Sequence, residues 1–320
     1  MATAMTGGYV RPEMLAETDW LKERLDDPNV RVIDCRDDPE QYDMCHIPGA
    51  VYMNYKKTKT RNGGVHILSP EEAAETFGKM GIGDDNEVVI YDDVGSYAGR
   101  VWWTLHHYGH ENLRILNGGW TKWVEDGYPV TREIPKPSFE TFTPRPRTDD
   151  MATADEVRDS INDPDTVIFD TRSGIEYFGI LEKFGYRKRA KRGGHVPSAQ
   201  WVNWTRSLER DHTMKPAIEL DHMFRSEGFD PNKETLVYCQ SAARSGHQLF
   251  ALKLIGHNNV KNYDGSWKEW GNSDSSPIEI TPHLSRESAR KVLAVIFGSM
   301  AGTYILSKLG RLLVNRVRSS

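Results

Sequence analysis

The chain has 320 residues, 38% hydrophobic and 27% charged, the make-up of a soluble globular protein long enough for about two domains. Its formal net charge of −5 excludes a general nucleic-acid binder, and its eleven histidines are scattered without a metal-ligand cluster, so no metal or other cofactor is called for. Three cysteines, Cys35, Cys45 and Cys239, make a poor disulfide framework and fit a reducing compartment.

Met1 to Pro12 holds no apolar run and does not read as a secretory signal. A first unit, 8–130, follows. Its β-branched runs Arg31–Asp34, Glu87–Tyr91 and Leu113–Leu116 predict buried strands, and Pro70–Met80 and Ala98–His107 predict helices. Residues 131–150 hold four prolines with little periodicity and read as a linker. In a second unit, 151–279, strands are expected over Thr166–Asp170, Thr235–Tyr238 and Val260–Asn262, with helices over Glu219–Glu227 and Ala242–Leu254. Strands alternating with helices predict an α/β fold, each unit a parallel sheet flanked by helices.

The two units repeat one another. Asp34 and Arg36 match Asp170 and Arg172 at an offset of 136, while His46 and Pro48 match His195 and Pro197 at 149. The second copy therefore carries 13 extra residues, within a loop rich in Lys, Arg and Gly at 183–194. Beyond it the copies run in step at 147: Asp92 with Cys239, Gly109-His110 with Gly256-His257, Gly118 with Gly265, Trp120 with Trp267, Trp123 with Trp270. Matches in one order along the chain indicate a duplicated domain of about 130 residues.

The tail, 280–320, is not part of the repeat. Val292–Ser307 is uncharged, and as a helix its sixteen residues span roughly 24 Å. Lys308 can snorkel and Leu309–Val314 can extend it, so 292–309 is a candidate membrane helix, with Gly298 and Gly302 at a small-residue contact spacing. The alternative is a helix packed on the enzyme or a partner. The main body is expected in the cytoplasm, anchored to a membrane if the tail inserts.

Chemistry is expected at Cys239. It follows a predicted strand, where open parallel sheets bind ligands, and it opens a loop that becomes a helix N-terminus. Unpaired amides and the helix dipole there favour a thiolate, and Arg244 adds a planar cation. Small residues at Ser241, Ala242 and Ala243 let the backbone curl. Gln240, Ser241, Ala242, Ala243, Arg244 and Ser245 are thus the candidate anion-binding loop around the nucleophile. A cysteine after a strand is more often a packed core residue, but the repeat argues otherwise: one copy has the cysteine and the other has Asp92.

The motifs Asp34-Cys35-Arg36 with His46-Ile47-Pro48-Gly49-Ala50, Asp170-Thr171-Arg172 with Gly194-His195-Val196-Pro197, Asn117-Gly118-Gly119-Trp120, and Tyr263 to Gly271 resemble the tandem-domain rhodanese family, the thiosulfate and 3-mercaptopyruvate sulfurtransferases. The resemblance covers about residues 8–279. It implies an inactive first domain and a catalytic second one. It also implies a ping-pong cycle, in which Cys239 takes sulfane sulfur from thiosulfate or a similar anion and passes it to cyanide or a thiol. Gln240 and Arg244 favour thiosulfate over 3-mercaptopyruvate within that resemblance. Ala242 stands where related loops often carry Gly, and Glu176 where some members carry a substrate-binding Arg. A persulfide carrier serving a protein partner would use the same cysteine. A phosphatase of this fold would have five residues between Cys and Arg, and here there are four.

Other candidates have plainer readings. Arg172, with Asp170, recurs in both copies and reads chiefly as an architectural pair, with a supporting role at the site as the alternative. His46 and His195 read the same way. His247, one turn into the helix after the loop, either tunes the thiolate or packs. The basic run Arg187-Lys188-Arg189 with Lys191-Arg192 reads as a solvated loop, with attraction of an anionic donor or covering of the cleft as the alternative.

Overall fold

Two five-stranded sheets organise the protein, which a computed structural model describes over residues 8–60, 64–180 and 190–280. The first contains β1 (Leu15–Ala16), β2 (Val30–Asp34), β3 (Ala50–Tyr52), β4 (Glu87–Tyr91) and β5 (Leu113–Leu116) in the order β1-β5-β4-β2-β3. The second contains β6 (Met151–Ala152), β7 (Thr166–Asp170), β8 (Gln200–Trp201), β9 (Glu234–Tyr238) and β10 (Val260–Tyr263) in the matching order β6-β10-β9-β7-β8. All strand pairs are parallel. The inner strands are continuous apolar runs because helices cover both faces, and Val88 to Tyr91 are all buried. Each predicted strand is present to within one residue; the strands the pattern did not reveal are two- and three-residue edge strands.

Helix starts follow local chemistry. Ser69 and Glu72 form a reciprocal capping box with Pro70 in the first turn, which fixes the start of Pro70–Lys79. Thr153 and Glu156 do the same for Ala154–Asp159.

The domains meet through two equivalent helices, Ser96–His107 and Ala243–Leu254. Gly99 and Gly246, 147 residues apart, occupy the crossing. A Cβ on Gly99 would lie 2.5 Å from the His247 amide nitrogen, and one on Gly246 would lie 2.7 Å from the Gly99 carbonyl oxygen. Trp102 meets Phe250 edge-on at 5.1 Å, and the buried core is continuous across the junction.

Residues 132–150 carry no helix or strand, but they are packed rather than a free tether. Phe142 is buried against Phe77 at 5.1 Å, and backbone hydrogen bonds tie Glu140 to Gly78 and Arg145 to Tyr108. At the end of the segment the buried Asp150 takes both His106 (2.9 Å) and His107 (2.8 Å). Sparse polarity hid this, because single side chains anchor the segment with no periodic pattern.

The candidate membrane helix 292–309, residues 281–320 around it and 181–189 of the second domain lie outside the described residues. Among the described residues no helix is long and apolar enough to cross a membrane.

Candidate functional site

β9 ends at Tyr238, and Cys239 is the next residue, buried at the carboxyl edge of the second sheet. The chain turns through Gln240 and Ser241 to Ala242, which adopts a left-handed conformation (φ 61°, ψ 17°) and caps Ala243–Leu254. That conformation costs an L-residue about 1 kcal/mol over glycine. The equivalent Gly95 in the first domain also has positive φ, at 104°.

The turn aims amides at the sulfur. The Ser241 amide donates to Cys239 Sγ at 3.4 Å, and the Ser245 amide also favours the thiolate. Burial pushes the Cys239 thiol up, but the Arg244 guanidinium and these donors outweigh it and bring the thiol below its ordinary value. Cys35 and Cys45 contrast with it: burial raises both. They lie in the first domain.

The first domain reports what this turn holds. Asp92 occupies the cysteine position, and its carboxylate accepts from the amides of Val94 (2.8 Å), Gly95, Tyr97 (2.5 Å) and Ala98 (3.1 Å). These amides correspond, 147 residues on, to those of Ser241, Ala242, Arg244 and Ser245. One copy of the turn thus fills its own cradle with a carboxylate, while the other presents a thiol to it.

Arg244 is not directed into an empty cradle. Its Nη1 and Nη2 donate to Glu176 Oε2 (2.6 Å) and Oε1 (2.8 Å), and Glu176 also accepts from the amide and hydroxyl of Ser173. Burial pushes the Glu176 carboxyl up, and Arg244 more than offsets this, holding it well below the usual carboxylate range. Glu176 is therefore the counter-ion of the loop's own arginine.

Ser266 is a site residue that sequence reasoning did not single out. Its hydroxyl accepts from the amides of Cys239 (3.3 Å) and Ala242 (3.1 Å) and donates to the Tyr263 carbonyl (2.8 Å). The amides of Trp267 and Lys268 donate to the carbonyls of Cys239 and Gln240 at 2.9 and 3.0 Å. A signal existed: the first copy has Gly119 at this position, so the hydroxyl appears only in the copy with the cysteine.

The remaining candidates are architectural in placement. Arg172 is fully buried, pairs with Asp170, donates to the Gly194 carbonyl at 2.6 Å and lies over the Trp267 ring at 4.3 Å. Arg36 repeats this with Asp34 and Trp120. His195 stacks on Tyr177 at 3.8 Å with Nδ1 on the Tyr177 carbonyl, and His46 repeats that with Tyr42. His247 belongs to the interface: Nδ1 meets the Gly95 carbonyl of the first domain at 3.2 Å, and Nε2 meets Ser207 Oγ at 3.1 Å.

Comparison with known proteins agrees with this duplication. The Rhodanese-like domain family matches residues 17–126 and 153–273. "Sulfur carrier protein TtuD" of Thermus thermophilus is 38% identical over 279 residues, 85% of this chain and 98% of that protein. "Putative thiosulfate sulfurtransferase" of Haloferax volcanii is 36% identical over 284 residues, 86% of this chain and 99% of that protein. The Escherichia coli structure SseA, described under 3-mercaptopyruvate sulfotransferases, superposes with a TM-score of 0.71 at 27% identity, covering 79% of this chain and 98% of that one. With two copies of the same sheet order, two matched segments and relatives aligned over nearly their whole length, the chain belongs to the rhodanese-like sulfurtransferase family, as two tandem domains.

Proposed function

We propose that the chain transfers sulfane sulfur from thiosulfate to a thiophilic acceptor through a persulfide on Cys239. The observation that carries this reading is the paired turn: amides that hold the Asp92 carboxylate in the first domain have counterparts in the second, where those of Ser241 and Ser245 favour a thiolate at Cys239, whose pKa is lowered. The Cys239 thiolate attacks the outer sulfur of thiosulfate. A cysteine–sulfur bond forms, the sulfur–sulfur bond of the donor breaks, and the electron pair leaves with sulfite. The persulfide's terminal sulfur carries the negative charge, which the amides of the turn accommodate. In the second half-reaction cyanide or a thiolate attacks that terminal sulfur, and Cys239 leaves as thiolate.

Arg244 favours this chemistry over phosphate hydrolysis. Held by Glu176 through both terminal nitrogens, it stabilises the thiolate electrostatically instead of clasping a phosphate. The name of the Thermus relative supports a second reading, in which the same persulfide is drained by a protein partner. Incubation with thiosulfate followed by intact-mass measurement tests both. A single added sulfur atom, absent in Cys239→Ser and retained in Cys35→Ser and Cys45→Ser, is expected; a Cys239→Ser protein that still transfers sulfur would overturn the assignment. Rapid removal of the added sulfur by cyanide supports the first reading, and removal only by a protein supports the second.

A further inference from the structure

The approach to Cys239 is built partly by the domain that lacks a cysteine at the equivalent position. Residues 55–60 and 64–68 of the first domain lie against each other, with Lys59 bridged antiparallel to Ile67 and the Leu68 amide on the Thr58 carbonyl at 3.0 Å. This pair of segments docks on the turn that supports the cysteine loop. The Ile67 amide donates to Asp264 Oδ2 at 2.5 Å, Arg100 Nη1 donates to Oδ1 at 2.5 Å, and Arg100 Nε donates to Thr58 Oγ1 at 2.9 Å. Asp264 lies two residues before Ser266, whose hydroxyl holds the Cys239 and Ala242 amides. The same contacts hold Lys59 at the domain junction, near enough for the Cys239 sulfur and Asp264 to act on its charge.

Lys59 is half-buried there, and among the described residues its Nζ donates to one carbonyl, that of Val65 at 3.3 Å. Among the described residues, the charges that bear most on it are Arg100 and Lys268, both cations, and Asp264 and the Cys239 sulfur. Asp264 is already committed to Arg100 and the Ile67 amide. Burial and the neighbouring cations hold the Lys59 ammonium down to about 8, the mark of a positive charge short of compensation. An arriving anion would supply that compensation, whereas Arg244 already has Glu176.

We propose that Lys59 binds the anionic group of the sulfur donor at Cys239, so that the active site is composite and the first domain contributes its substrate-binding cation. The donor's identity rests on the thiosulfate reading above; the anion preference at Cys239 does not. The test is alkylation of full-length protein by iodoacetate, which is anionic, and by iodoacetamide, which is neutral, read by mass spectrometry on the Cys239 peptide. Any change in thiolate fraction cancels in the ratio of the two rates. Lys59→Gln is expected to lower the iodoacetate-to-iodoacetamide ratio about tenfold, and Lys59→Arg to keep it within about twofold. In turnover, kcat/KM for thiosulfate should fall in Lys59→Gln while that for a neutral thiol acceptor holds. An unchanged ratio in a Lys59→Gln protein with wild-type thermal unfolding overturns the proposal, even if thiosulfate charges Cys239. A lowered ratio, together with failure of thiosulfate to charge the wild-type protein, supports the cation and refutes the donor.

Discussion

Glu176 and Arg244 face each other as a two-pronged ion pair, 2.6 and 2.8 Å long, with Arg244 five residues beyond Cys239 and Glu176 on a neighbouring helical turn. The carboxylate lowers the free positive charge at the loop while holding the guanidinium near the thiolate. Glu176→Gln keeps the shape but removes the negative charge. The Cys239 thiolate should then be favoured further, with its alkylation midpoint moving down by about one pH unit. Stability should fall by about 2–3 kcal/mol, because Arg244 stays largely shielded from water without its counter-ion. A pH–rate profile with iodoacetamide reads the first effect and urea unfolding the second. A midpoint that stays or rises would show that Glu176 does not set the charge felt by the sulfur.

Asp92 predicts the opposite division of labour. Burial pushes its carboxyl up, and the four amides of its own turn pull it back without fully offsetting the burial. Asp92→Ala would leave those donors without an acceptor at a helix start, at a cost of about 2 kcal/mol. Urea unfolding should show that loss, while alkylation of Cys239 in the folded protein should keep its wild-type rate. Loss of Cys239 reactivity at unchanged stability would instead place Asp92 in the chemistry.

These side chains show where sequence reasoning reaches and where it stops. Inner strands such as Glu87–Tyr91 and Glu234–Tyr238 are legible because burial on both faces demands an unbroken apolar run. Leu15–Ala16 and Gln200–Trp201 are too short to show any period. Cys239 is legible because the repeat puts Asp92 opposite it, and the same comparison of Gly119 with Ser266 would have exposed the loop's hydroxyl support. The pairing of Glu176 with Arg244 is not legible, since tertiary packing joins them across 68 residues. Lys59 is further removed still, in another domain, and nothing around Cys239 in the chain announces it.

The helix crossing at Gly99 and Gly246 gives a prediction whose sign is informative. In an ordinary helix interior, Gly→Ala is stabilising by about 0.5–1 kcal/mol. Here the added Cβ of Gly99→Ala would meet the backbone of His247 at 2.5 and 2.6 Å, and a backbone cannot rotate away. The helices must part, so the variant should be destabilised by about 1–3 kcal/mol. Urea unfolding decides it: a stabilised Gly99→Ala would mean that the domains are not held this closely.

His247 makes the same interface sensitive to acid. Its imidazole is buried between the domains, with the Gly95 carbonyl at Nδ1 and the Ser207 hydroxyl at Nε2, and burial lowers it to about 4. In the unfolded chain a histidine titrates near 6.5, so between about pH 6.5 and 4 the unfolded state binds the extra proton. The folded-state value is the lower one. His247 therefore contributes stability that is fully present above the unfolded value and is lost as pH falls through the window, at up to about 1.4 kcal/mol per pH unit. His106, His195 and His257 are also lowered by burial, so the total acid sensitivity does not isolate this residue. The difference between wild type and His247→Gln does. Glutamine can still donate to the Gly95 carbonyl but cannot titrate, so the variant should start less stable at neutral pH and lose stability less steeply toward pH 4.5 in urea titrations. Parallel curves for the two proteins would assign the acid sensitivity to the other buried histidines.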